Sequence, residues 1–397
     1  MKKRKILIVY PYVFRDFDYF RYEIRNLEKD FSAEVVIHEL INIIHPNTLS
    51  VYKNFCKSKK IIRFKSYLSW KKEFKNLVKN NPDMLIIKDI QSTNFFSFLI
   101  NLEINQAKRK VLEYSASHGH PELRLELKNI KLLNLLIIKK IILFLNSKMY
   151  SVVTNLLKLY PNYCLKAGSK GFRNIYNNSR VKIIRANSFD YSNYITYKKE
   201  IHNIKKKKFA IFLDSPTPLY DGDNLLTNIN KENLLTIKNW YQSLNFFFRD
   251  IEKLLNIEIK ICLHPKVNSP KAHNKYKKIF EGREILKKRP LYYLSCTGLI
   301  ISRHSSGFSY AVISKIPSIV ITSKELIKDN SSFNSQRYLA RELGVDIINI
   351  DDKIDSKKII KLTKINKEKY RQYKLKYLTS LNILKPNYKI IGENFLN

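Results

Sequence analysis

The chain of 397 residues is too long for one ordinary hydrophobic core and predicts two domains of about 150 to 200 residues each. Its hydrophobic content of 44% and aromatic content of 12% exclude an intrinsically disordered protein. The formal net charge of +39, from 73 Lys and Arg against 34 Asp and Glu, favours a polyanionic partner or an anionic membrane surface.

Strands alternate with helices in the predicted elements of the first half. Strands are predicted at 5–12, 33–40, 83–90 and 110–119, and amphipathic helices at 20–31 and 68–81. The strands are short apolar runs, which is typical of parallel strands buried on both faces. A repeated strand-helix order predicts a doubly wound parallel sheet.

The segment 130–146, IKLLNLLIIKKIILFLN, is rich in Leu and Ile but is cut by Lys139 and Lys140. No uninterrupted apolar run reaches the ~20 residues that span a bilayer. The segment is interpreted as a core helix, and an interfacial helix on an anionic membrane is the alternative. The N-terminal apolar run ILIVY is too short for a signal peptide, so the sequence predicts a cytoplasmic protein.

The strand-helix order begins again after residue 200. A lysine-rich linker leads into a strand at 204–216, a long helix follows at 234–255, and further strands are predicted at 257–266, 299–307 and 316–323. The fold class is therefore α/β, with two doubly wound, Rossmann-like domains facing a cleft. The predicted boundaries are 1–200, 201–375 and a tail at 376–397 that packs back on the first domain.

Basic residues are scattered along the chain, and only IKKKKF at 204–209 forms a dense run. A nucleic-acid-binding protein typically concentrates its charge in one stripe or arm. The sequence therefore predicts no nucleic-acid partner. The four cysteines are widely spaced and form no CxxC pair, which indicates buried thiols in a reducing compartment rather than a zinc site.

The most informative motif lies between two predicted elements of the second domain. It consists of Arg303, His304, Ser305, Ser306 and Gly307, and is called the serine loop below. Hydroxyls and unpaired backbone amides at the start of a helix suit a phosphate. A serine there can also be only a helix cap. Two serines combined with glycine, arginine and histidine exceed what capping needs, so we predict phosphate binding.

A second loop, His264-Pro265-Lys266, also follows a predicted strand. Loops after parallel strands meet at one edge of the sheet, so we expect this loop beside the serine loop. Its histidine is a candidate for holding a phosphate or ribose. The alternative is a histidine satisfied by the backbone at a turn that the proline fixes.

A third loop carries four polar residues after the first strand of the second domain, namely Asp214, Ser215, Asp221 and Asp223. Three carboxylates can bind a divalent metal, but no His or Cys lies beside them. Asp, Pro and Gly are also common turn residues. The loop is therefore interpreted as turns or as contacts to sugar hydroxyls, and no metal is predicted.

Candidates for a general base lie in the first domain. Glu113, His118 and His120 lie at the end of the strand predicted at 110–119, and Asp16 follows the first strand. A base that deprotonates a hydroxyl needs a carboxylate or a histidine with a pKa near neutral. His118 and His120 resemble a metal pair, but no third ligand is identifiable.

Taken together, HPK at 264–266 and RHSSGFSYAVISKIPSIVIT at 303–322 resemble motifs of GT-B-fold glycosyltransferases that build bacterial surface polysaccharides. The most similar are enzymes that use CMP-activated acid sugars: sialyltransferases, polysialyltransferases and Kdo transferases. By this resemblance, His264-Pro265 and Ser305-Ser306 hold the phosphate and the cytidine of the donor. The specific part covers 205–325.

These families also have an acidic-acidic-glycine motif that supplies the catalytic carboxylate. Here only Asp221-Gly222 resembles it, and it lies in the second domain, whereas the base of the family comes from the first. Glu113, His118 and Asp16 therefore remain candidates for the base beside Asp221.

The resemblance implies an inverting, metal-independent transferase of capsule or lipopolysaccharide synthesis. Its donor is a nucleotide-sugar, which is a substrate, and no cofactor is expected. A glycan or a lipid-linked molecule is the expected acceptor, so the enzyme would lie peripherally on the cytoplasmic face of the inner membrane. The departing phosphate would be stabilised by Ser305, Ser306 and His264, with Arg303 and Lys266 as further candidates.

Other functions fit the same sequence. The fold also serves UDP-sugar glycosyltransferases, CDP-polyol phosphotransferases and hydrolysing sugar epimerases. A basic nucleic-acid-binding protein is the non-enzyme alternative, and a catalytically inactive scaffold of a polysaccharide assembly complex is a further one.

Overall fold

The two α/β domains predicted from the sequence are confirmed, because the chain forms two parallel sheets covered by helices. The structure is a computed structural model. It describes residues 4–51, 56, 58–114, 149–170, 180–201, 208–215, 236–267, 270–380 and 383–396.

The first sheet has seven parallel strands in the order β3-β2-β1-β4-β5-β6-β7. The strands are β1 Lys5–Tyr10, β2 Glu34–Glu39, β3 Ile61–Arg63, β4 Leu85–Lys88, β5 Lys110–Tyr114, β6 Tyr163–Ala167 and β7 Lys182–Ala186. The strand order reverses between β1 and β4. Doubly wound sheets bind ligands outside the carboxyl ends of the strands at such a reversal.

Helices cover both faces of this sheet. They are α1 Asp16–Arg21, α2 Ile24–Asp30, α3 Ile41–Ile44, α4 Tyr67–Asn80, α5 Phe95–Gln106 and α6 Phe189–Ile201, with a 3-10 turn at Pro46–Val51 and further helical residues at 149–156. Ile6 and Ile8 pack on one side of β1, and Leu7 and Val9 pack on the other. Burial on both faces explains why β1 reads as a continuous apolar run.

The single helix predicted at 20–31 is broken in the structure. Glu23 separates α1 from α2 and has a φ of 50°, in the left-handed region that non-glycine residues rarely adopt. Its buried carboxylate accepts hydrogen bonds from Ser192 Oγ at 2.7 Å and Thr196 Oγ1 at 2.5 Å, both on α6. A tertiary contact therefore overrides the local preference for helix.

The second sheet has five parallel strands in the order β12-β11-β10-β8-β9. They are β8 Phe209–Leu213, β9 Ile259–Cys262, β10 Thr297–Ser302, β11 Ser318–Thr322 and β12 Ile347–Asn349. Here the order reverses between β8 and β10, as it does between the first and third strands of a flavodoxin-like sheet.

The helices of the second half complete the fold. They are α7 Ile237–Leu255, α8 Pro270–Ile279, α9 Phe308–Ser314, α10 Lys324–Lys328, α11 Asn330–Leu343, α12 Ser356–Leu362, α13 Lys367–Tyr373 and α14 Asn387–Phe395, with a 3-10 turn at Pro290–Cys296 and a π-helical turn at Lys374–Leu378.

The end of the chain returns to the first domain. Tyr388, Ile391 and Phe395 of α14 pack into the core of the first sheet. Asn387 accepts a hydrogen bond of 2.9 Å from the backbone amide of Asn187, at the start of the crossing into the second domain. The two crossings between the domains are therefore tied together.

Candidate functional site

Three loops lie side by side at the carboxyl edge of the second sheet. Ser302 Oγ, at the end of β10, donates to the carbonyl of Leu213 on β8 at 2.8 Å. The amide of Asp214 donates to the carbonyl of Cys262 on β9 at 2.9 Å. These bonds align the ends of the three central strands, so the loops that follow them flank the point where the strand order reverses.

The serine loop leads from β10 into α9. Ser305 Oγ accepts a hydrogen bond from the amide of Gly307 at 3.0 Å, which closes a short turn before the helix. The N-cap of α9 is Gly307, and no side chain caps the helix. Helix α9 has only seven residues, and its dipole alone makes a weak anion site. A Cβ on Gly307 would lie 2.6 Å from Cδ1 of the buried Leu213. The glycine therefore allows the loop to approach β8 closely.

The histidine of the second loop is held in one tautomer. Nδ1 of His264 accepts a hydrogen bond from the amide of Lys266 at 3.2 Å, so the neutral ring carries its proton on Nε2. Burial, together with the smaller effect of the charges of Lys266, Arg15 and Arg21, lowers the pKa of His264 to about 3. The neutral imidazole can therefore donate from Nε2 at physiological pH.

Asp214, which is buried, and Arg303, which is half-buried, form a polar cluster where β8 and β10 end. Burial raises the pKa of Asp214 to about 8, although the Ser215 amide and the Arg303 guanidinium lower it. Burial also lowers the pKa of Arg303, and the nearby Asp214 raises it. Neither carboxyl oxygen of Asp214 accepts a well-formed hydrogen bond within the described chain. The cluster is therefore polar, enclosed and incompletely satisfied, as ligand sites often are.

A residue that the sequence analysis did not single out holds the helix after the serine loop. Asp190, on α6, accepts hydrogen bonds from Ser309 and Tyr310 in the first turn of α9. All three side chains are buried. No motif marks Asp190 because its partners lie 119 and 120 residues away in sequence.

Helix α1 brings the first domain to this site. The backbone carbonyl of Asp16 accepts a hydrogen bond from Arg289 of the second domain at 3.0 Å, and the Arg289 guanidinium lies 4.1 Å from the centre of the Phe20 ring. The positive charges of Arg15 and Arg21, at the two ends of α1, contribute to lowering the pKa of His264. The side chain of Asp16 is exposed.

Glu113 lies on the first sheet. It is buried on β5, and its Oε2 is 3.6 Å from Nζ of Lys88 on the neighbouring strand. Lys88 also donates to Asn101 of α5 at 2.9 Å. Glu113 thus belongs to a polar cluster under α5 rather than to the edge that carries the serine loop.

Several predicted site residues lie outside the described residues. They are His118, His120, Asp221 and Asp223, together with the segment 130–146. Among the described residues, no group of three or more His, Cys, Asp or Glu side chains is arranged to hold a metal ion. Within the same part of the chain, no helix is both long and apolar enough to cross a membrane.

No family model matches the sequence, and no curated protein matches it. Solved structures are similar over the whole length. A UDP-GlcNAc 2-epimerase from Methanocaldococcus jannaschii is 13% identical with a TM-score of 0.52, covering 99% of this chain and 100% of that one. The wall teichoic acid polymerase TagF is 11% identical with a TM-score of 0.56, covering 100% of this chain and 89% of that one.

The S. aureus MnaA–UDP co-structure is also similar, with 11% identity, a TM-score of 0.50, and coverage of 98% of this chain and 96% of that one. These likenesses establish the fold, which is GT-B, and the predicted architecture of two Rossmann-like domains is confirmed. One of these neighbours is named as an epimerase and another as a polymerase. The fold therefore does not determine the reaction, which has to be inferred from the residues of the site.

Proposed function

We propose that this chain is a glycosyltransferase that binds a nucleotide-activated sugar between its two domains and transfers the sugar to an acceptor. One observation carries the proposal: the loops of Asp214, His264 and the serine loop lie side by side where the strand order of the second sheet reverses. Ligands of open α/β sheets bind at this position. Hydroxyls, a neutral imidazole N–H and flanking cations are suitable donors for a phosphate.

The donor that we propose is a CMP-activated acid sugar, and the transfer inverts the anomeric carbon without a metal. The support is the pair of motifs, His264-Pro265 and Ser305-Ser306, and their proximity in the fold. Nε2–H of His264 and the hydroxyl of Ser306 would donate to the departing phosphate, and Lys266 would neutralise its charge. Such preorganised donors stabilise a leaving group by several kcal/mol, on the order of 3 per donor.

Asp16 is the described candidate best placed to act as the base. It begins α1, at the boundary with the second domain, and its side chain is exposed. In this proposal it deprotonates an acceptor hydroxyl bound in the cleft. Glu113, which is buried against Lys88, is a structural residue in this proposal.

We further propose that the acceptor is lipid-linked and that the first domain rests on the anionic inner face of a bacterial inner membrane. Leu68, Phe95 and Phe96 are 75%, 54% and 42% exposed. Leu68 begins an exposed face of α4 that continues with Lys72 and Lys75, at helical spacings of four and seven residues. An apolar patch beside basic residues is typical of surfaces that bind anionic lipid.

The position of this patch relates it to the site. Helices α4 and α5 begin after β3 and β4, so Leu68 and Phe95 lie at the carboxyl edge of the first sheet. Arg15 and Asp16 follow β1 and lie at the same edge. A membrane under the patch would therefore present a lipid-linked acceptor near the cleft.

Thermal unfolding with CMP, CDP or UDP tests the proposed function. A ligand at 100 times its dissociation constant stabilises the folded state by about 2.7 kcal/mol. We expect CMP to raise the melting temperature of the wild type and not that of a Ser305→Ala/Ser306→Ala variant. Stabilisation by UDP or CDP alone would instead favour a UDP-sugar transferase or a CDP-polyol phosphotransferase. No stabilisation by any nucleotide would contradict the proposal.

A further inference from the structure

Tyr12 is an exposed aromatic side chain within an otherwise buried run. It is 37% exposed, whereas every other residue from Ile6 to Phe14 is buried. It follows β1 at the carboxyl edge of the first sheet, where the strand order reverses between β1 and β4. Ligands of doubly wound sheets bind at this position. The ring therefore lies where the first domain is expected to bind a substrate.

The loop that carries Tyr12 is anchored on both sides of it. The carbonyl of Tyr10 accepts a hydrogen bond of 2.9 Å from the first backbone amide after β2. The amide of Phe14 donates to Oε2 of Glu39 at 2.9 Å. Glu39 is fully buried, and its Oε1 is 2.8 Å from Nε of Arg63. The position of Tyr12 is therefore fixed before any ligand binds, which lowers the entropic cost of binding.

The ring of Tyr12 stacks on the imidazole of His45, and the two residues are called the aromatic platform below. The ring centres are 5.3 Å apart, and the ring planes are 8° from parallel. The backbone of His45 is held by hydrogen bonds of 2.8 Å to the carbonyl of Ile41 and 2.7 Å from Oγ1 of Thr48. Burial lowers the pKa of His45, so its imidazole is neutral at physiological pH. The platform is therefore rigid, and neither of its rings is charged.

The loop after β4 places polar side chains beside the platform. Nδ2 of Asn94 donates to the carbonyl of Ile44, the residue before His45, at 3.1 Å. Gln91 and Thr93, in the same loop, are exposed. An aromatic surface with a few polar groups around it is typical of sites that bind small molecules. This combination suits a sugar, because a pyranose ring has an apolar C–H face and hydroxyls along its rim.

We propose that the aromatic platform is an acceptor subsite, on which a pyranose ring of the acceptor stacks. The face of an aromatic ring is electron-rich, so it attracts the weakly positive C–H bonds of a sugar ring. The subsite rests on the proposed function. It narrows the acceptor to a glycan or glycolipid that ends in a pyranose, rather than a chain of polyol phosphates.

The place of the platform along the chain agrees with this role. Asp16, the proposed base, comes four residues after Tyr12 and lies beside the second domain. The exposed Phe95 and Phe96 of the proposed membrane surface come directly after Asn94. The platform therefore lies at the same sheet edge as both of them, and a lipid-linked sugar would reach it from the membrane side.

Saturation-transfer difference NMR on the full chain tests the subsite with neutral probes. Methyl β-D-galactopyranoside and methyl β-D-glucopyranoside provide pyranose rings, and sorbitol provides hydroxyls without a ring. Each probe is measured with and without CMP, so that a requirement for the nucleotide is detected. The proteins are the wild type, Tyr12→Ala, Tyr12→Leu and Tyr12→Phe. Phe246→Ala is the matched control, because Phe246 is a 53% exposed aromatic residue on α7 of the second domain.

We expect saturation to reach the C–H protons on one face of a pyranoside, and no transfer to sorbitol. Tyr12→Ala should weaken pyranoside binding at least about fivefold. Tyr12→Leu should weaken it similarly, because leucine retains an apolar side chain but not a ring. Tyr12→Phe and Phe246→Ala should leave the affinity within about twofold of the wild type. Tyr12→Ala should melt close to the wild-type temperature, because the side chain is exposed.

Four results would overturn the subsite. They are no transfer to either pyranoside in the wild type, equal transfer to sorbitol, an unchanged affinity in Tyr12→Ala, and full recovery of binding in Tyr12→Leu. The proposed function fails separately. If CMP stabilises the wild type and no pyranoside binds, only the subsite fails. If pyranosides bind through Tyr12 and no nucleotide stabilises the protein, the carbohydrate site stands and the transferase does not.

Discussion

Oδ2 of Asp190 accepts a hydrogen bond of 2.6 Å from Ser309 Oγ, and its Oδ1 accepts one of 3.0 Å from the hydroxyl of Tyr310. Asp190 lies on α6, the helix that leads from the first domain toward the second, and its partners lie in the first turn after the serine loop. Ser192, on the same helix, donates a hydrogen bond to the carboxylate of Glu23 in the first domain. Helix α6 therefore connects the serine loop to the first domain through buried polar contacts.

We expect Asp190→Ala to lower the free energy of unfolding by about 2–3 kcal/mol, because it leaves two buried hydroxyls without their charged partner. Tyr310→Phe removes only one of the two bonds and should cost about 1 kcal/mol. Urea unfolding measures both. Because α9 follows the serine loop directly, Asp190→Ala should also weaken CMP binding.

Ile104→Ala provides the control for this prediction. Ile104 is buried under the first sheet, and its truncation costs about 2–5 kcal/mol of stability without touching the site. CMP affinity should be unchanged in this variant and reduced in Asp190→Ala. Equal affinities in the two variants would show that Asp190 contributes only to stability.

A second prediction concerns His264. His264→Ala should weaken nucleotide binding at least about tenfold, since a hydrogen bond to a charged group contributes about 1.5–3 kcal/mol. His264→Gln should recover part of the loss, because its amide N–H can replace Nε2–H. His273→Ala, at a partly buried histidine on α8, is the matched control. Calorimetry with CMP is the measurement, and an unchanged affinity in His264→Ala would remove this residue from the phosphate site.

The strands that position the site were predictable because they are apolar on both faces. β1 and β8 are buried along almost their whole length, and each appears in the sequence as an uninterrupted apolar run. β3 has three residues and no buried one, and β7 is exposed at three of five positions. Neither has a pattern that distinguishes it from a loop, so both were missed.

The candidate site was predictable only where its residues follow a strand. His264 and Ser305 come directly after apolar runs, which places them at one sheet edge from topology alone. Asp190 and Glu23 act through contacts between segments that are distant in sequence. No local pattern encodes such contacts, because they form only when segments that are distant in sequence pack together.

The third prediction uses the pH dependence of Glu23. Burial raises its pKa to about 7, although hydrogen bonds from Thr196 and Ser192 lower it. An unfolded glutamate titrates near 4.5, so between these values only the folded state keeps the proton. The contribution of Glu23 to the free energy of unfolding is therefore fully present below about pH 4.5 and is lost as the pH rises through about 7.

Glu23→Gln should remove this pH dependence. Relative to the wild type, the variant should gain about 2 kcal/mol of stability between pH 5 and pH 8, measured by urea unfolding at both values. Glu34→Gln, at an exposed glutamate on β2, should show no such gain. If the free energies of unfolding of Glu23→Gln and the wild type differ by the same amount at both pH values, the carboxylate of Glu23 is ionised throughout this range.

The last prediction concerns the exposed patch of the first domain. Lys72→Glu/Lys75→Glu should weaken binding to vesicles of phosphatidylcholine and phosphatidylglycerol at least about thirtyfold, because each basic residue near an anionic surface contributes about 1 kcal/mol. Phe95→Ser/Phe96→Ser should weaken binding to the same vesicles by removing the apolar contact. Vesicle sedimentation of the full chain measures both variants.

Lys357→Glu/Lys361→Glu makes the same change of charge on α12 of the second domain, where both lysines are exposed. The long-range attraction of a chain with a net charge of +39 falls equally in both lysine variants. If net charge alone drives binding, the two variants lose the same affinity. If α4 and α5 form the docking surface, the α12 variant retains most of its vesicle binding. Phe95→Ser/Phe96→Ser, which changes no charge, then loses most of its vesicle binding. The aromatic pair therefore separates a specific surface from a general electrostatic attraction.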